Sequence, residues 1–239
     1  MIRRPMQFTF EPIGIIRSCY QQKFGIPRQA GLVRDAGAVL ELVPSFNRLQ
    51  ALEGLEGFSH IWIVFVFHQN LNQAPKTTVR PPRLGGNRRM GVFATRSGFR
   101  PNPIGLSAVE LVGIRCEAQK IRLDIKGVDL LDETPVLDIK PYLPYADSID
   151  SASGGFAARA PTGQLSVKFT PDALLACRQL QEKTGQPVKT VIARSLCYDP
   201  RPAYYDEQTK RQFATIMFGA EIKWRIQSGE AIVESIAIC

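Results

Sequence analysis

The chain has 239 residues, of which 44% are hydrophobic, so it can bury the core of one large domain or of a medium and a small one. Its formal net charge of +8 favours an anionic partner. No apolar run is long enough to cross a bilayer, and the amino terminus lacks the apolar core of a secretory signal. We therefore expect a cytoplasmic protein without a membrane partner.

The five cysteines and two histidines show none of the spacings that are typical of a zinc site. No two cysteines stand in a C-x-x-C pair, and their number is odd. We therefore expect free thiols in a reducing compartment and no bound metal.

In chain order, the first part of the sequence predicts about seven strands and little helix. Alternating or continuous apolar residues predict strands over 8–17, 38–43, 60–67, 90–95, 106–117, 120–128 and 136–140, and a short helix over 47–52. The run over 60–67 is almost continuously apolar, which predicts a strand buried on both faces. Long loops are expected over 21–33 and 70–89. Strands at this spacing favour a sandwich or a barrel.

A stretch rich in serine, alanine and glycine over 151–163 predicts a linker between an N-terminal domain, 1–150, and a C-terminal domain, 164–239. The second domain is predicted to contain a strand over 165–169, helices over 171–184 and 188–197, and strands over 214–218, 221–225 and 231–238. Thr170 suits the N-cap of the first helix, and Gly185 suits its end. This pattern predicts a small α+β domain.

Positive charge is concentrated in one stretch of the sequence. No acidic residue occurs between Glu56 and Glu110, whereas seven cations do: Lys76, Arg80, Arg83, Arg88, Arg89, Arg96 and Arg100. A stretch of one sign fits a surface that faces phosphates, because each neutralised phosphate releases counterions. The alternative is an ordinary solvated basic loop.

Two segments combine a stiff backbone with polar side chains. Over 96–105, two prolines flank Asn102 and restrict the connection that carries two arginines. Over 199–204, an Asp-Pro turn is combined with an arginine and a tyrosine, which suit phosphate contact and base stacking. A proline-stiffened turn and a surface arginine are the ordinary alternatives.

A third segment, over 138–142, carries an acid and a base. Asp138 and Lys140 are two apart on a predicted strand, so their side chains project to the same face. This arrangement suits a proton acceptor and a partner that tunes it, and a simple ion pair is the alternative. The sequence contains no dinucleotide fingerprint, phosphate-binding loop or nucleophile elbow.

Several of these motifs resemble those of the TsaA-like family, also called YaeB-like. The similar segments are 26–29, 58–62, 91–107, 138–142 and 199–204, which occur in the family's order along nearly the whole chain. The resemblance implies a single-sheeted β-barrel followed by a small C-terminal domain, usually as a homodimer. It also implies an S-adenosylmethionine-dependent methyltransferase that acts on N6 of threonylcarbamoyladenosine beside the anticodon of certain tRNAs.

The resemblance further implies a set of cofactor-binding residues. They are Gln29, Ala30, Gly31, His68, Gln69, Arg96, Leu106, Lys126, Gly127, Val128 and Asp129. These residue types are chemically suitable, because an adenine needs apolar contact and backbone hydrogen bonds, and a methionine carboxylate needs a cation such as Arg96.

For the chemistry, our hypothesis is that Asp138 or Tyr142 handles the proton and that Lys140 and Asn102 position the modified base. The residues that we predict to contact tRNA are Arg88, Arg89, Arg100, Asp199, Arg201 and Tyr204.

Two alternative functions stay open at this point. A non-catalytic RNA-binding barrel would use the basic stretch and bind no cofactor. A methyltransferase acting on a small molecule would bind the cofactor, and its basic stretch would be incidental.

Overall fold

The computed structural model of the protein describes residues 7–163, 165–201 and 211–239. Its strands and helices, in chain order, are β1 (Gly14–Ser18), β2 (Gly37–Leu42), β3 (His60–Val66), β4 (Thr78–Val79), β5 (Met90–Gly91), β6 (Ile104–Glu117), β7 (Lys120–Lys126), β8 (Pro135–Pro141), α1 (Pro144–Asp147), β9 (Ser166–Phe169), α2 (Pro171–Thr184), α3 (Val188–Cys197), β10 (Gln212–Met217), β11 (Ala220–Gln227) and β12 (Glu230–Ile238).

Six of these strands close into a barrel in the order β1-β2-β7-β6-β3-β8, and all neighbours in it are antiparallel. The mainly β first domain and the single-sheeted barrel are therefore confirmed. Closure leaves the main barrel sheet no unpaired edge, which protects it from pairing with other chains. The small pair β4-β5 lies outside the barrel, within and directly after the long basic loop.

The alternation of burial along β3 shows how the barrel is filled. Ile61, Ile63 and Phe65 point inward and are almost completely buried, whereas Trp62 and Val64 are only partly buried. The prediction of a strand buried on both faces is therefore wrong. The outward-facing side chains of β3 are also apolar, so the alternation of inward and outward positions does not show in the sequence as alternating polarity. This outer face contributes to the cleft described below.

Other differences from the sequence-based prediction have local causes. The first strand begins at Gly14 instead of residue 8, after Pro12, which has no N–H for a strand ladder. The strand predicted over 90–95 ends at Gly91, because Val92–Ala94 forms a 3₁₀ turn. The Thr95 hydroxyl donates to the Val92 carbonyl over 2.8 Å and closes that turn. The short helix over 47–52 is a 3₁₀ turn at Leu49–Leu52.

The C-terminal domain has a four-stranded sheet in the order β10-β11-β12-β9, with α2 and α3 beside it. Helix α2 begins as predicted, since the Thr170 side chain accepts a hydrogen bond from the Ala173 N–H over 3.2 Å. Helix α3 has the predicted bounds. A continuous cluster of buried apolar side chains extends from the barrel strands to Trp224 of β11, so the two domains share one core. Within the described ranges, no helix is long and apolar enough to span a membrane.

Candidate cofactor cleft and tRNA-facing residues

A cleft of about 110 Å³ opens beside β3 and β6. Its lining comprises Gln29, Ala30, Trp62, Arg96, Leu106, Ser107, Ala108 and Asp129. Trp62, Leu106 and Ala108 belong to the outward-facing positions of the two strands, since the alternate residues on each strand are buried. The other walls come from the loop before β2, the basic segment before β6 and the turn after β7.

Two polar contacts hold the walls of this cleft together. Arg96 Nη1 donates to Gln29 Oε1 over 2.5 Å, which joins the loop before β2 to the segment before β6. Ser107 Oγ donates to Asp129 Oδ1 over 2.6 Å, which joins β6 to the turn after β7. Burial raises the pKa of Asp129, while the Ser107 hydrogen bond and the charge of Arg96 act in the opposite direction. The cleft thus presents a cation, a carboxylate and apolar surface within one small volume.

Five of the eleven predicted cofactor residues line the cleft: Gln29, Ala30, Arg96, Leu106 and Asp129. Gly31 and Gly127 do not line it, and the Gly31 N–H donates to the Gly127 carbonyl over 2.8 Å. Val128 is buried in the core, so only its backbone is available to a ligand, and Lys126 is exposed at the end of β7.

His68 and Gln69 form a 3₁₀ turn directly after β3 and do not line the cleft. Partial burial lowers the pKa of His68, Lys23 lowers it further, and the charge of Glu133 opposes the change. Lys23 Nζ donates to Asn70 Oδ1 over 3.0 Å, so this turn is tied to the loop before β2. The assignment of His68 and Gln69 to the cofactor remains a prediction.

Three lining residues were not predicted from the sequence: Trp62, Ser107 and Ala108. Trp62 was assigned to a strand buried on both faces, and a period-2 analysis of β3 would have placed it on the outer side. Ala108 is its partner across the β3-β6 pair. Cross-strand partners cannot be recognised before the register is known.

The predicted catalytic residues of β8 lie beside the cleft. Lys140 is the register partner of Trp62 on the other side of β3, and its Nζ lies 2.7 Å from Asp138 Oδ2. Asp138 Oδ1 accepts the backbone N–H of Ile139 over 2.9 Å. The Tyr142 ring lies at a tilt 5.5 Å from the Trp62 ring, measured between centroids. Trp62 therefore connects the cleft to Lys140 of β8, which pairs with Asp138, and to the phenol of Tyr142 directly after β8.

Asn102 is exposed on the loop that leads into β6 and does not line the cleft. Its carbonyl accepts the Ile104 N–H over 2.7 Å, and the neighbouring Pro103 carbonyl accepts the Phe67 N–H over 2.8 Å. The two prolines and these bonds fix the loop against the end of β3, as the sequence predicted for a stiff connection.

The predicted tRNA-contacting residues fall into different environments. Arg88 and Arg89 are exposed on the basic loop. Arg100 is partly buried and donates to the carbonyls of Thr95 and Ser97 over 3.0 and 3.3 Å, so it also shapes its own loop.

Asp199 and Arg201 form an interior ion pair instead of a surface turn. The Arg201 side chain is only 6% exposed, and its Nε and Nη2 donate to the two Asp199 oxygens over 2.8 and 2.7 Å. Asp199 has φ +45°, and this left-handed backbone folds the chain back so that the pair can form. Direct phosphate contact by the Arg201 guanidinium does not fit this burial, which nothing in the local sequence revealed. Tyr204 lies outside the described residues.

No group of three or more histidine, cysteine, aspartate or glutamate side chains that could hold a metal ion occurs in the described part of the chain. The closed barrel, the small polar cleft on its outer face and the appended α+β domain define a two-domain β-barrel protein.

Comparison with known proteins identifies the family. The family model for the tRNA-methyltransferase O N-terminal domain matches residues 15–148, and that for the TrmO C-terminal domain matches residues 162–238. The chain therefore belongs to the tRNA-methyltransferase O (TrmO) family, which confirms the resemblance noted from its motifs.

Individual relatives are similar to this chain over almost its full length. The chain is 48% identical to a tRNA (adenine(37)-N6)-methyltransferase of Escherichia coli K12, over 92% of this chain and 93% of the relative. It is 46% identical, over the same shares, to a Pseudomonas aeruginosa protein described as an S-adenosylmethionine-dependent methyltransferase. The crystal structure of TrmO from Pseudomonas aeruginosa matches with a TM-score of 0.82 at 39% identity, over 97% of this chain and 99% of that chain.

Proposed function

We propose that this protein is an S-adenosylmethionine-dependent tRNA methyltransferase that methylates N6 of an adenosine beside the anticodon, and that this adenosine carries a threonylcarbamoyl group. The observation that carries the proposal is the cleft that joins Arg96, Asp129 and Trp62, next to the ion pair of β8, in a chain that matches TrmO relatives over more than nine-tenths of its length. The threonylcarbamoyl group rests on the motif resemblance alone.

The chemistry of the cleft fits the cofactor. Arg96 supplies a cation for a carboxylate, and Asp129 supplies an acceptor for hydroxyl groups and a negative charge that favours a sulfonium. Ala30, Leu106 and Trp62 supply the apolar contact that an adenine ring needs. When bound, S-adenosylmethionine supplies an activated methyl group on sulfur.

The residues of β8 suit the target base. A base nitrogen that gains a methyl group must lose its proton, and the phenol of Tyr142, which packs against Trp62, or the carboxylate of Asp138, which pairs with the register partner of Trp62, Lys140, would take part in that loss. Asp138 accepts from Lys140 and from the Ile139 N–H, so it also orients Lys140. Lys140 and the stiff loop at Asn102 would then hold the modified base in place.

The exposed cations of the basic loop suit the tRNA backbone. Arg88 and Arg89 are solvent-exposed, and no acidic residue lies between Glu56 and Glu110 to oppose them. Such a surface attracts phosphates through counterion release. We assign to Asp199 and Arg201 the shaping of the C-terminal surface rather than direct contact. With tRNA as substrate, the proposed place of action is the cytoplasm.

We also propose that the protein acts as a homodimer. Phe93 of the 3₁₀ turn at Val92–Ala94 and three side chains of β6, Ile104, Leu106 and Val112, face solvent, with exposed fractions of 77%, 40%, 52% and 50%. The cleft is smaller than the roughly 300–1,000 Å³ of a ligand pocket, so a second subunit beside Leu106 would deepen it. Leu106 both lines the cleft and is half-exposed, so a second subunit that covers it would also bury apolar surface.

The test is incubation of the purified protein with labelled S-adenosylmethionine and bulk tRNA, with and without the threonylcarbamoyl modification. Label that enters only modified tRNA is the expected result. Cofactor binding without incorporation would keep a methyltransferase and reject this substrate, so that small molecules would be tried next. RNA binding with no cofactor binding would replace the proposal with a non-catalytic RNA-binding barrel.

A further inference from the structure

The segment between β1 and β2 connects the cofactor cleft to the C-terminal domain. We call residues 19–30 the bridging segment. Its first part runs along β10, where the Phe218 N–H donates to the Cys19 carbonyl over 2.8 Å and the Gln21 N–H donates to the Ile216 carbonyl over 3.3 Å. Tyr20 and Met217 form an isolated bridge between these bonds. The barrel domain thus sends a chain segment to the edge of the second sheet.

The middle of the bridging segment is fixed by a buried hydroxyl of the second domain. Thr215 of β10 is completely buried, and its Oγ1 donates to the Phe24 carbonyl over 2.6 Å. Gly25 has φ +99°, and a Cβ there would lie 2.7 Å from that same hydroxyl oxygen and 2.8 Å from Met217 Cε. This close approach admits only glycine, because a larger residue would push the segment away from β10.

Aromatic packing holds the segment at the same point. The Phe24 ring stacks on Trp224 and Phe213 with centroid distances of 6.1 and 6.4 Å, and those two rings stack on each other at 4.9 Å. Trp224 is completely buried, so the stack belongs to the core of the C-terminal domain.

The far end of the bridging segment forms a wall of the cleft. Only five residues after Phe24, Gln29 accepts the hydrogen bond from Arg96, and Ala30 lines the cleft beside it. Pro27 restricts the backbone between these points and is buried. A short segment that is fixed at one end transmits a displacement to its other end.

We propose that Thr215, which touches neither the cleft nor its contents, is a positioning residue for cofactor binding, because it sets the place of Gln29 and Ala30 through Phe24 and Gly25. The C-terminal domain is then part of the cofactor site and not only a surface for RNA. The inference rests on the proposed function in taking S-adenosylmethionine as the ligand of the cleft.

The test is calorimetric titration of the full-length protein with S-adenosylmethionine in the absence of tRNA. Thr215→Val removes the hydroxyl at nearly constant volume and is expected to weaken binding by about fivefold, since a buried carbonyl loses its donor. Thr215→Ser keeps the hydroxyl and is expected to bind as the wild type does. In turnover assays, Thr215→Val should raise the KM for S-adenosylmethionine and leave the KM for tRNA unchanged.

The matched control is Leu180→Ala, which opens a cavity between α2 and β12 of the same domain, where Leu180 lies beside Ile236 and Ile238. It is expected to lower thermal stability and to leave cofactor affinity unchanged. Equal weakening by Leu180→Ala and Thr215→Val, or wild-type affinity in Thr215→Val, would overturn the inference. If Thr215→Val does not fold, Phe24→Leu disturbs the same anchor from the other side and carries the same expectation. A wild-type protein that binds no S-adenosylmethionine would instead refute the proposed function itself.

Discussion

Arg96 Nη1 donates to Gln29 Oε1 over 2.5 Å, and this contact joins two loops that are separated by 67 residues in the sequence. Gln29 is itself fixed through the bridging segment, so Arg96 is oriented by a neighbour with a defined position. A guanidinium held in this way can keep one donor on Gln29 and offer its other N–H groups to a carboxylate.

Arg96→Lys is therefore expected to weaken S-adenosylmethionine binding by about tenfold, because lysine keeps the charge and loses the planar set of donors. Thermal stability should hardly change, since Arg96 is exposed. Calorimetry and a melting curve measure the two effects. Arg48→Lys, an exposed arginine near the tip of the β6-β7 hairpin, is the control and should bind normally. Unchanged affinity in Arg96→Lys would mean that charge alone matters at this position.

Asp138→Asn is expected to lower turnover by a factor of at least about 100 at unchanged cofactor affinity, since it removes the carboxylate that orients Lys140 and can take part in proton loss. Single-turnover measurements with labelled cofactor separate the two quantities. Glu230→Gln breaks a comparable ion pair, with Lys168 at 2.7 Å, in the other domain and should leave turnover intact. Full turnover in Asp138→Asn with normal cofactor affinity would show that its assignment is wrong.

Replacing Arg88 and Arg89 together by alanine is expected to weaken tRNA binding and leave cofactor affinity unchanged. The slope of log affinity against log salt concentration should fall in magnitude by about 1.5, because two fewer phosphates are neutralised. The control is the double replacement of Arg48 and Lys120 by alanine, at the opposite end of the β6-β7 hairpin from the cleft. If the control loses tRNA affinity to the same extent, the effect depends on net charge and not on the position of Arg88 and Arg89.

The motif that leads into β6 also contains a packing constraint. Gly105 is buried and is the register partner of Phe65, whose ring atoms would lie 2.2 to 2.6 Å from an added Cβ. Gly105→Ala is expected to lower the free energy of unfolding by about 1–3 kcal/mol, measured by urea denaturation. Gly91→Ala, which meets nothing within 4 Å, is the control and should change stability little. Equal stability of the two variants would show that Phe65 can move aside.

Sequence patterns predicted most of the strands but not how they pair. Alternation along 120–128 and the cap at Thr170 depend on neighbouring residues, so the patterns gave β7 and α2 within a few residues. Closure of the barrel depends on pairs such as β1 with β8, which are far apart in the chain. Closure of the barrel was therefore predicted only by the motif resemblance.

The residues of the candidate site were likewise predicted only in part from the sequence. Gln29, Arg96 and Asp129 were expected from the family's motifs, and the structure brings them together in one cleft. Trp62 was missed, because an apolar strand with an apolar outer face resembles a strand of the interior. The interior position of Arg201 could not be predicted, since it depends on the left-handed backbone of Asp199 and on packing between distant elements.

The carboxyl group of Asp129 makes cofactor binding depend on pH in a defined direction. Its pKa is raised by burial, so the carboxylate is lost at a higher pH than in an ordinary aspartate. If the ionised form binds S-adenosylmethionine, affinity is complete above this pKa and falls as the pH is lowered through it. Ser107 donates a hydrogen bond to the charged form, so Ser107→Ala should raise the pKa further and move the loss of affinity to higher pH.

Calorimetry at a series of pH values gives the midpoint of the loss of affinity for the wild type and for Ser107→Ala. Circular dichroism at each pH shows that the fold persists. Asp129→Asn should bind more weakly and show no such dependence, because the amide does not titrate. An unchanged midpoint in Ser107→Ala, or a persistent pH dependence in Asp129→Asn, would assign the titration to another group. A midpoint that moves with Ser107 would show that the ionised carboxylate of Asp129 controls cofactor affinity.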